Sequence, residues 1–151
     1  MNLSAFLASN KVYFEFQEKR STRHAVEASQ AIGVSLSEII KTLVFVDQDS
    51  RPLIAVVPGD RNVSRHKLEH CSNWKSVRLA SDNIAEAATG YPTGSIPPVG
   101  HKKKLRVFLD ESVLDHEYVW GGGGARSKLV RLRTEDIVKL SAATICNISA
   151  D

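Results

Sequence analysis

The sequence predicts an α+β domain built on a mixed central β-sheet. Two apolar, β-branched runs, residues 39–46 (IIKTLVFV) and 53–57 (LIAVV), read as buried strands. Segments with helical spacing and helix-capping signals lie before and after them, and strands and helices do not alternate as strictly as a parallel βαβ sheet requires. At 151 residues the whole chain, 1–151, is expected to fold as one domain that buries a substantial core.

The N-terminal stretch reads as a short helix with Leu3, Phe6 and Leu7 on one side. Residues 22–32 form the next: Ala25, Ala28, Ala31 and Ile32 make a narrow apolar stripe, and Gly33 stops it. Residues 35–38 (SLSE) fit a capping box for a short turn. Strand 39–46 follows, then a polar turn, then strand 53–57 closed by Pro58-Gly59. Ser64 caps a helix through Cys71, residues 77–80 form a short strand, and Ser81 caps a helix running to about Thr89 and ended by Gly90. Residues 91–105 carry no apolar period; connections of that length usually bind something or move. Strands are expected at 106–110, 117–120 and 128–131, a helix from Thr134, and a last strand at 144–148.

An apolar share of 42% and a charged share of 25% are ordinary for a soluble globular protein. No apolar run approaches the roughly 20 residues that span a bilayer, and the N-terminus lacks the basic start and long apolar middle of a signal peptide. Cys71 and Cys146, without an export signal, are expected as reduced thiols in the cytoplasm. The net charge of +3 only mildly favours an anionic partner. The basic residues are clustered, however: Arg61, Arg65 and Lys67; Lys102, Lys103, Lys104 and Arg106; Arg126, Lys128, Arg131 and Arg133. Any one cluster reads as solvated surface; three beside the same loops point towards a polyanion.

Seven of the nine glycines and three of the five prolines fall in two short segments, GYPTGSIPPVG (90–100) and GGGG (121–124). Glycine lets backbone approach a ligand closely and proline stiffens the approach, so the pair describes a backbone-lined pocket. GSIPPVG can hold a phosphate or an oxyanion through peptide N–H groups, or serve simply as a surface turn. It lacks the spacing and the following Lys-Ser/Thr of a P-loop, and no helical pattern follows the second segment as in a dinucleotide fingerprint. Lys41 interrupts the strand 39–46: its long stem either snorkels to solvent or carries its charge to an anion at a pocket floor. Thr42 faces the opposite side of a regular strand. His66 and His70 share a helix face with Glu69 and Cys71 close by, yet no H-E-x-x-H or paired C-x-x-C accompanies them, and a solvated basic helix is the expected reading. No G-x-S-x-G elbow is present, and both cysteines read as structural.

In order along the chain, IIKTLVF with Lys41, AVVPGDR (55–61), ATGYPTGSIPPVG and YVWGGGG resemble the YbaK/prolyl-tRNA synthetase-associated domain family of aminoacyl-tRNA editing proteins. The likeness runs over roughly residues 20–140, and Gly94, Pro98 and Gly100 fit the family's G-x-x-x-P-x-G pattern. It implies a compact domain with a mixed sheet that hydrolyses the ester of a mischarged tRNA, without a metal or cofactor. The substrate would be a tRNA carrying a small amino acid, such as tRNA(Pro) with Ala, Cys, Ser or Thr. The family's pocket lysine maps onto Lys41 and its glycine-loop backbone onto Gly94 and Gly100, with Pro98 shaping the turn and Gly121 and Gly122 matching the late glycine stretch. Thr42, Pro98, His101, Gly121 and Gly122 are then expected against the substrate, and Arg61, Lys102, Lys103 and Arg126 against tRNA phosphates. Trp120 stands where small residues are common in relatives, so no relative's amino-acid preference carries over. A chain too short for an aminoacylation domain is expected to edit in trans, with a synthetase as a candidate partner. A non-catalytic tRNA- or synthetase-binding module, a small-molecule hydrolase and a metal enzyme on His66 and His70 are the alternatives.

Overall fold

The computed structural model describes residues 2–150. Its centre is the antiparallel pair β2 (Ile40–Val46) and β3 (Pro52–Pro58), joined by the predicted polar turn. Two shorter strands extend β3 in parallel, β6 (Val107–Asp110) and then β9 (Thr144–Cys146), while β5 (Arg78–Leu79) lies antiparallel to the end of β2. The order β5-β2-β3-β6-β9 makes a mixed five-stranded sheet, as expected. A second, antiparallel sheet has the order β1-β8-β7, from Phe14–Glu18, Lys128–Arg133 and Tyr118–Gly122. A parallel bridge between Ile39 and Trp120 links the two sheets. β4 (Asn62–Val63) and β10 (Ser149–Ala150) form a small antiparallel pair beside them.

The period of two along the central strands divides the core. Ile40, Val44, Ile54 and Val56 face one cluster with Val119, Val130 and Leu132 of the second sheet, Ile137 of α5 (Thr134–Ser141) and Leu3 and Leu7 of α1 (Leu3–Ser9). Phe45, Leu53, Ala55 and Val57 face the other, with Phe108, Ile148 and Leu68 of α3 (Arg65–Ser72).

The local signals act as read. Ser64 caps α3 by accepting the Lys67 N–H at 3.2 Å, and Ser81 caps α4 (Asp82–Thr89) by accepting that of Ile84 at 3.3 Å. Gly33 and Gly90 end α2 (Ala25–Ile32) and α4 at φ +73° and +84°, the left-handed turn that glycine adopts without penalty.

Differences from expectation have local causes. The chain before α2 stays extended because the Thr22 N–H bonds the Arg126 carbonyl at 2.9 Å, so the helix starts at Ala25. Ser35 does not cap: its hydroxyl pairs with that of Ser37, and residues Leu36–Glu38 form a 3₁₀ turn. β1 exists because its full length pairs with β8. Gly121 and Gly122 continue β7 instead of forming a loop. The last predicted strand breaks after Cys146, where buried Asp110 accepts the N–H groups of Ile148 and Ser149 at 2.8 and 2.9 Å.

The expectation of reduced thiols is corrected. Cys71 and Cys146 form a disulfide with Cα atoms 6.5 Å apart. α3 rests on the second cluster through Leu68, and Cys71, one turn on, lies on the same face and meets the edge strand β9. The compartment argument that rested on free thiols goes with it. No helix among the described residues is long and apolar enough to cross a membrane.

Candidate active site

β5 pairs only with Phe45 and Val46, so among the described residues the earlier part of β2 has no partner strand from that sheet on this side. That open stretch lines a cavity of about 290 Å³. Ile39, Ile40 and Thr42 contribute from β2 and its approach, Ala25 and Ala28 from the first turns of α2, and Gly122 and Leu129 from the β7–β8 hairpin. Thr93, Gly94 and Ile96 add the wall of the proline-glycine loop. Lys19, Arg23, His24, Lys41 and Lys128 make the lining basic, and none of the described lining residues is an aspartate or glutamate.

Glycines bring the loop and the hairpin together. A Cβ on Gly122 would stand 2.5 Å from the Ile96 carbonyl oxygen, and one on Gly121 would stand 3.1 Å from Pro98 Cδ. Bare backbone is therefore required for the hairpin to lie on the loop. The Gly124 N–H donates to the Ser95 carbonyl at 2.9 Å, and the Arg126 guanidinium donates to the Thr93 carbonyl through Nε at 3.1 Å and Nη2 at 2.9 Å. On the other flank His101 Nε2 bonds the Pro97 carbonyl at 2.6 Å. Burial holds the His101 imidazole below the usual histidine range, while that hydrogen bond acts in the opposite sense. The loop thus presents a stiff peptide wall to the cavity.

Lys41 Nζ donates to Asn62 Oδ1 of β4 at 3.2 Å. Burial lowers its pKa, and the nearby Asp60 carboxylate raises it. Alternation places Lys41 opposite Thr42 across β2, as the strand period requires, although both contribute to the lining. Thr42 is 8% exposed, and its hydroxyl has no hydrogen-bond partner among the described residues. At the rim, Lys19 Nζ donates to the Thr22 hydroxyl and the Arg126 carbonyl, and Arg23 pairs with Asp82 at 3.0 Å.

Of the residues singled out from the sequence, Lys41, Thr42, Gly94 and Gly122 meet at the cavity. Gly121 and Pro98 pack against each other behind it. Gly100, at φ +77°, lies against Phe6, and His101 braces the loop. Lys102 and Lys103 are exposed just beyond, their N–H groups anchored to the Thr89 and Ala88 carbonyls at the end of α4. Arg61 reaches the Ser149 hydroxyl at 3.2 Å, and Arg126 uses two donors as the loop clamp. Trp120 packs with Ile39, Ala28 and Leu129 beside the cavity and is not part of its lining. Among the described residues no three of His, Cys, Asp and Glu gather closely enough to hold a metal, His66 and His70 included. Sequence reasoning missed Lys19, Arg23 and His24, which a basic run before the α2 stripe could have flagged, and Asn62, which carries no signal.

A peptide-walled cavity with basic residues and, among the described residues, no carboxylate in its lining is suited to an anionic substrate. The aminoacyl-tRNA editing domain profile matches residues 19–140, and the chain belongs to that family. It is 29% identical over 136 residues to EbsC of Enterococcus faecalis, named as a candidate Cys-tRNA(Pro)/Cys-tRNA(Cys) deacylase; the match covers 90% of this chain and 83% of that protein. It is 33% identical over 112 residues to the proline–tRNA ligase of Geobacter metallireducens, covering 74% of this chain but only 19% of the ligase. The crystal structure of a candidate trans-editing enzyme for prolyl tRNA synthetase superimposes with a TM-score of 0.87 at 28% identity, covering 100% of this chain and 99% of that one. That of the hypothetical protein APE2540 gives 0.90 at 28% identity, covering 98% and 99%.

Proposed function

We propose that the chain, acting as one domain over residues 1–151, hydrolyses in trans the ester of a tRNA mischarged with a small amino acid. The candidates are tRNA(Pro) carrying alanine, cysteine, serine or threonine. The observation that carries this reading is the cavity between the open end of β2 and the glycine loop, with Lys41 at its wall and no carboxylate among its described lining residues. An aminoacyl ester is already activated, so a positioned water and a stabilised oxyanion suffice for hydrolysis. Backbone N–H groups of the loop wall at Gly94 bind the developing oxyanion. Lys41 holds the terminal phosphate, the sugar or the substrate carbonyl. Among the described residues no carboxylate lines the cavity to act as general base, which leaves water orientation to the ribose hydroxyl of the substrate and to backbone groups. Arg61, Lys102 and Lys103 bind acceptor-stem phosphates, with salt-sensitive and largely sequence-independent affinity. The likeness to a domain of proline–tRNA ligases supports a synthetase as partner.

The test is multiple-turnover deacylation of a panel of mischarged tRNAs by wild type and Lys41→Ala. Wild type is expected to discharge one small amino acid rapidly. Removing a charge-assisted hydrogen bond, worth about 1.5–3 kcal/mol, lowers kcat/KM by roughly 10- to 100-fold in the variant. Full activity in the variant removes Lys41 from the mechanism. Binding without turnover on every member of the panel makes the chain a tRNA-binding module.

A further inference from the structure

A second cavity, of about 370 Å³, adjoins the first along the β7–β8 hairpin, and the two share one lining residue, Lys128. Its walls are Phe16 of β1, Tyr91 of the glycine loop, the hairpin turn at Gly123 and Gly124, and the start of α1 at Asn2 and Ser4. Gly124 adopts φ +91°, a conformation side chains rarely take, and a Cβ there would stand 3.1 Å from the Tyr91 ring. The Tyr91 hydroxyl is buried and has no hydrogen-bond partner among the described residues. Asn2 Oδ1 caps α1 by accepting from the Ala5 N–H at 3.0 Å and the Ser4 hydroxyl at 2.9 Å, which leaves its two amide donors for a ligand. Lys128 is exposed, with Nζ 5.5 Å from the centre of the half-buried Phe16 ring.

We propose that this second cavity binds the penultimate nucleotide of the substrate RNA, with Lys128 on the phosphodiester that joins it to the aminoacylated terminal nucleotide. The inference rests on the deacylase reading above, which places the terminal nucleotide in the first cavity. Two nucleotides in adjoining cavities are linked by one phosphate, and a cation common to both is where that charge is neutralised. An aromatic face with amide donors close by is the chemistry that receives an unstacked base. The two cavities meet at the glycine hairpin, where a Cβ on Gly123 would stand 2.9 Å from Lys128.

The experiment compares an aminoacyl-adenosine, which has no penultimate nucleotide, with the same amino acid on cytidylyl-adenosine, using wild type, Phe16→Ala and Ser4→Trp. Ser4 is an exposed position on α1, and an indole there fills the cavity from its outer wall without entering the core. Stacking of one base predicts a wild-type kcat/KM roughly tenfold higher on the dinucleotide. Both variants should remove that advantage, mainly through KM, and leave the adenosine substrate unchanged. Equal wild-type rates on the two substrates overturn the subsite, as does an equal loss on both in Ser4→Trp. If wild type discharges neither compound nor whole mischarged tRNA, the deacylase reading itself has failed.

Discussion

Thr42→Val should make this protein more stable and less active at once. Thr42 projects between Ile40 and Val44 on the apolar face of β2, opposite Val56 of β3, and its hydroxyl has no partner among the described residues. A buried hydroxyl left unpaired costs about 1–3 kcal/mol, and valine keeps the shape of threonine while removing that group. Valine also suits a central strand at least as well. The expected gain is about 1–2 kcal/mol in unfolding free energy, a rise of roughly 2–8 °C in Tm for a domain of this size. Thr42 also lines the cavity, so a bound substrate that reaches its hydroxyl would lose that contact in the variant. Losing one neutral hydrogen bond of about 1 kcal/mol there lowers kcat/KM by roughly fivefold. Urea and thermal unfolding, run beside deacylation kinetics, read the two effects separately. Thr42→Ala is the control, since it also deletes a packed methyl group and should lose stability. A less stable Thr42→Val would mean that the hydroxyl is satisfied within the fold; a more stable but fully active one would mean that the substrate does not use it.

Three further outcomes follow from the same geometry. The Cys71–Cys146 disulfide closes a sequence separation of 75 residues. On the chain-entropy account, reduction or Cys146→Ser should lower stability by about 4 kcal/mol. Deacylation in the cold should persist, because the bond lies against the cluster away from the cavity; an unfolding midpoint indifferent to dithiothreitol would refute the cross-link. Gly122→Ala places a methyl group 2.5 Å from the Ile96 carbonyl oxygen, so it should push the hairpin off the loop and reduce kcat more than KM. Wild-type kinetics in a folded Gly122→Ala would show that the loop wall is not held this way. The third outcome is a pH dependence. Burial depresses the folded pKa of His101, so folding favours its neutral form. The resulting stability is fully present above the unfolded value of about 6.5 and is lost as pH falls through the folded value. Burial pushes the Asp110 carboxyl up, but its hydrogen bonds together outweigh burial and hold it low, so its contribution is lost only below about pH 4, a separate window. Denaturation midpoints between pH 7 and pH 5 should therefore fall for wild type and stay flat for His101→Gln, and equal slopes would exclude His101 as the cause.

Legibility followed the range of the interaction. Ser64, Ser81, Gly33 and Gly90 each act within a few residues, so their helix ends could be read directly. The runs containing β2 and β3 are apolar enough on both faces to be central strands wherever the chain goes. β1 was harder, because its short FEFQE pattern becomes a strand only when β8 offers a full edge. Of the pocket, the sequence announced the glycine-proline loop, the glycine hairpin and Lys41 as an anomaly on an apolar strand.

By itself the sequence determined the fold class, most element positions and the presence of a backbone-lined site, because these depend on local φ/ψ, capping and hydrophobic period. Only the tertiary structure decided that Lys19 and Arg23 join Lys41 around one cavity, that Arg126 clamps Thr93, that Asn62 holds Lys41, and that Cys71 meets Cys146. Those pairs are brought together by sheet order and helix packing, and a linear spacing carries no information about a contact that the topology creates.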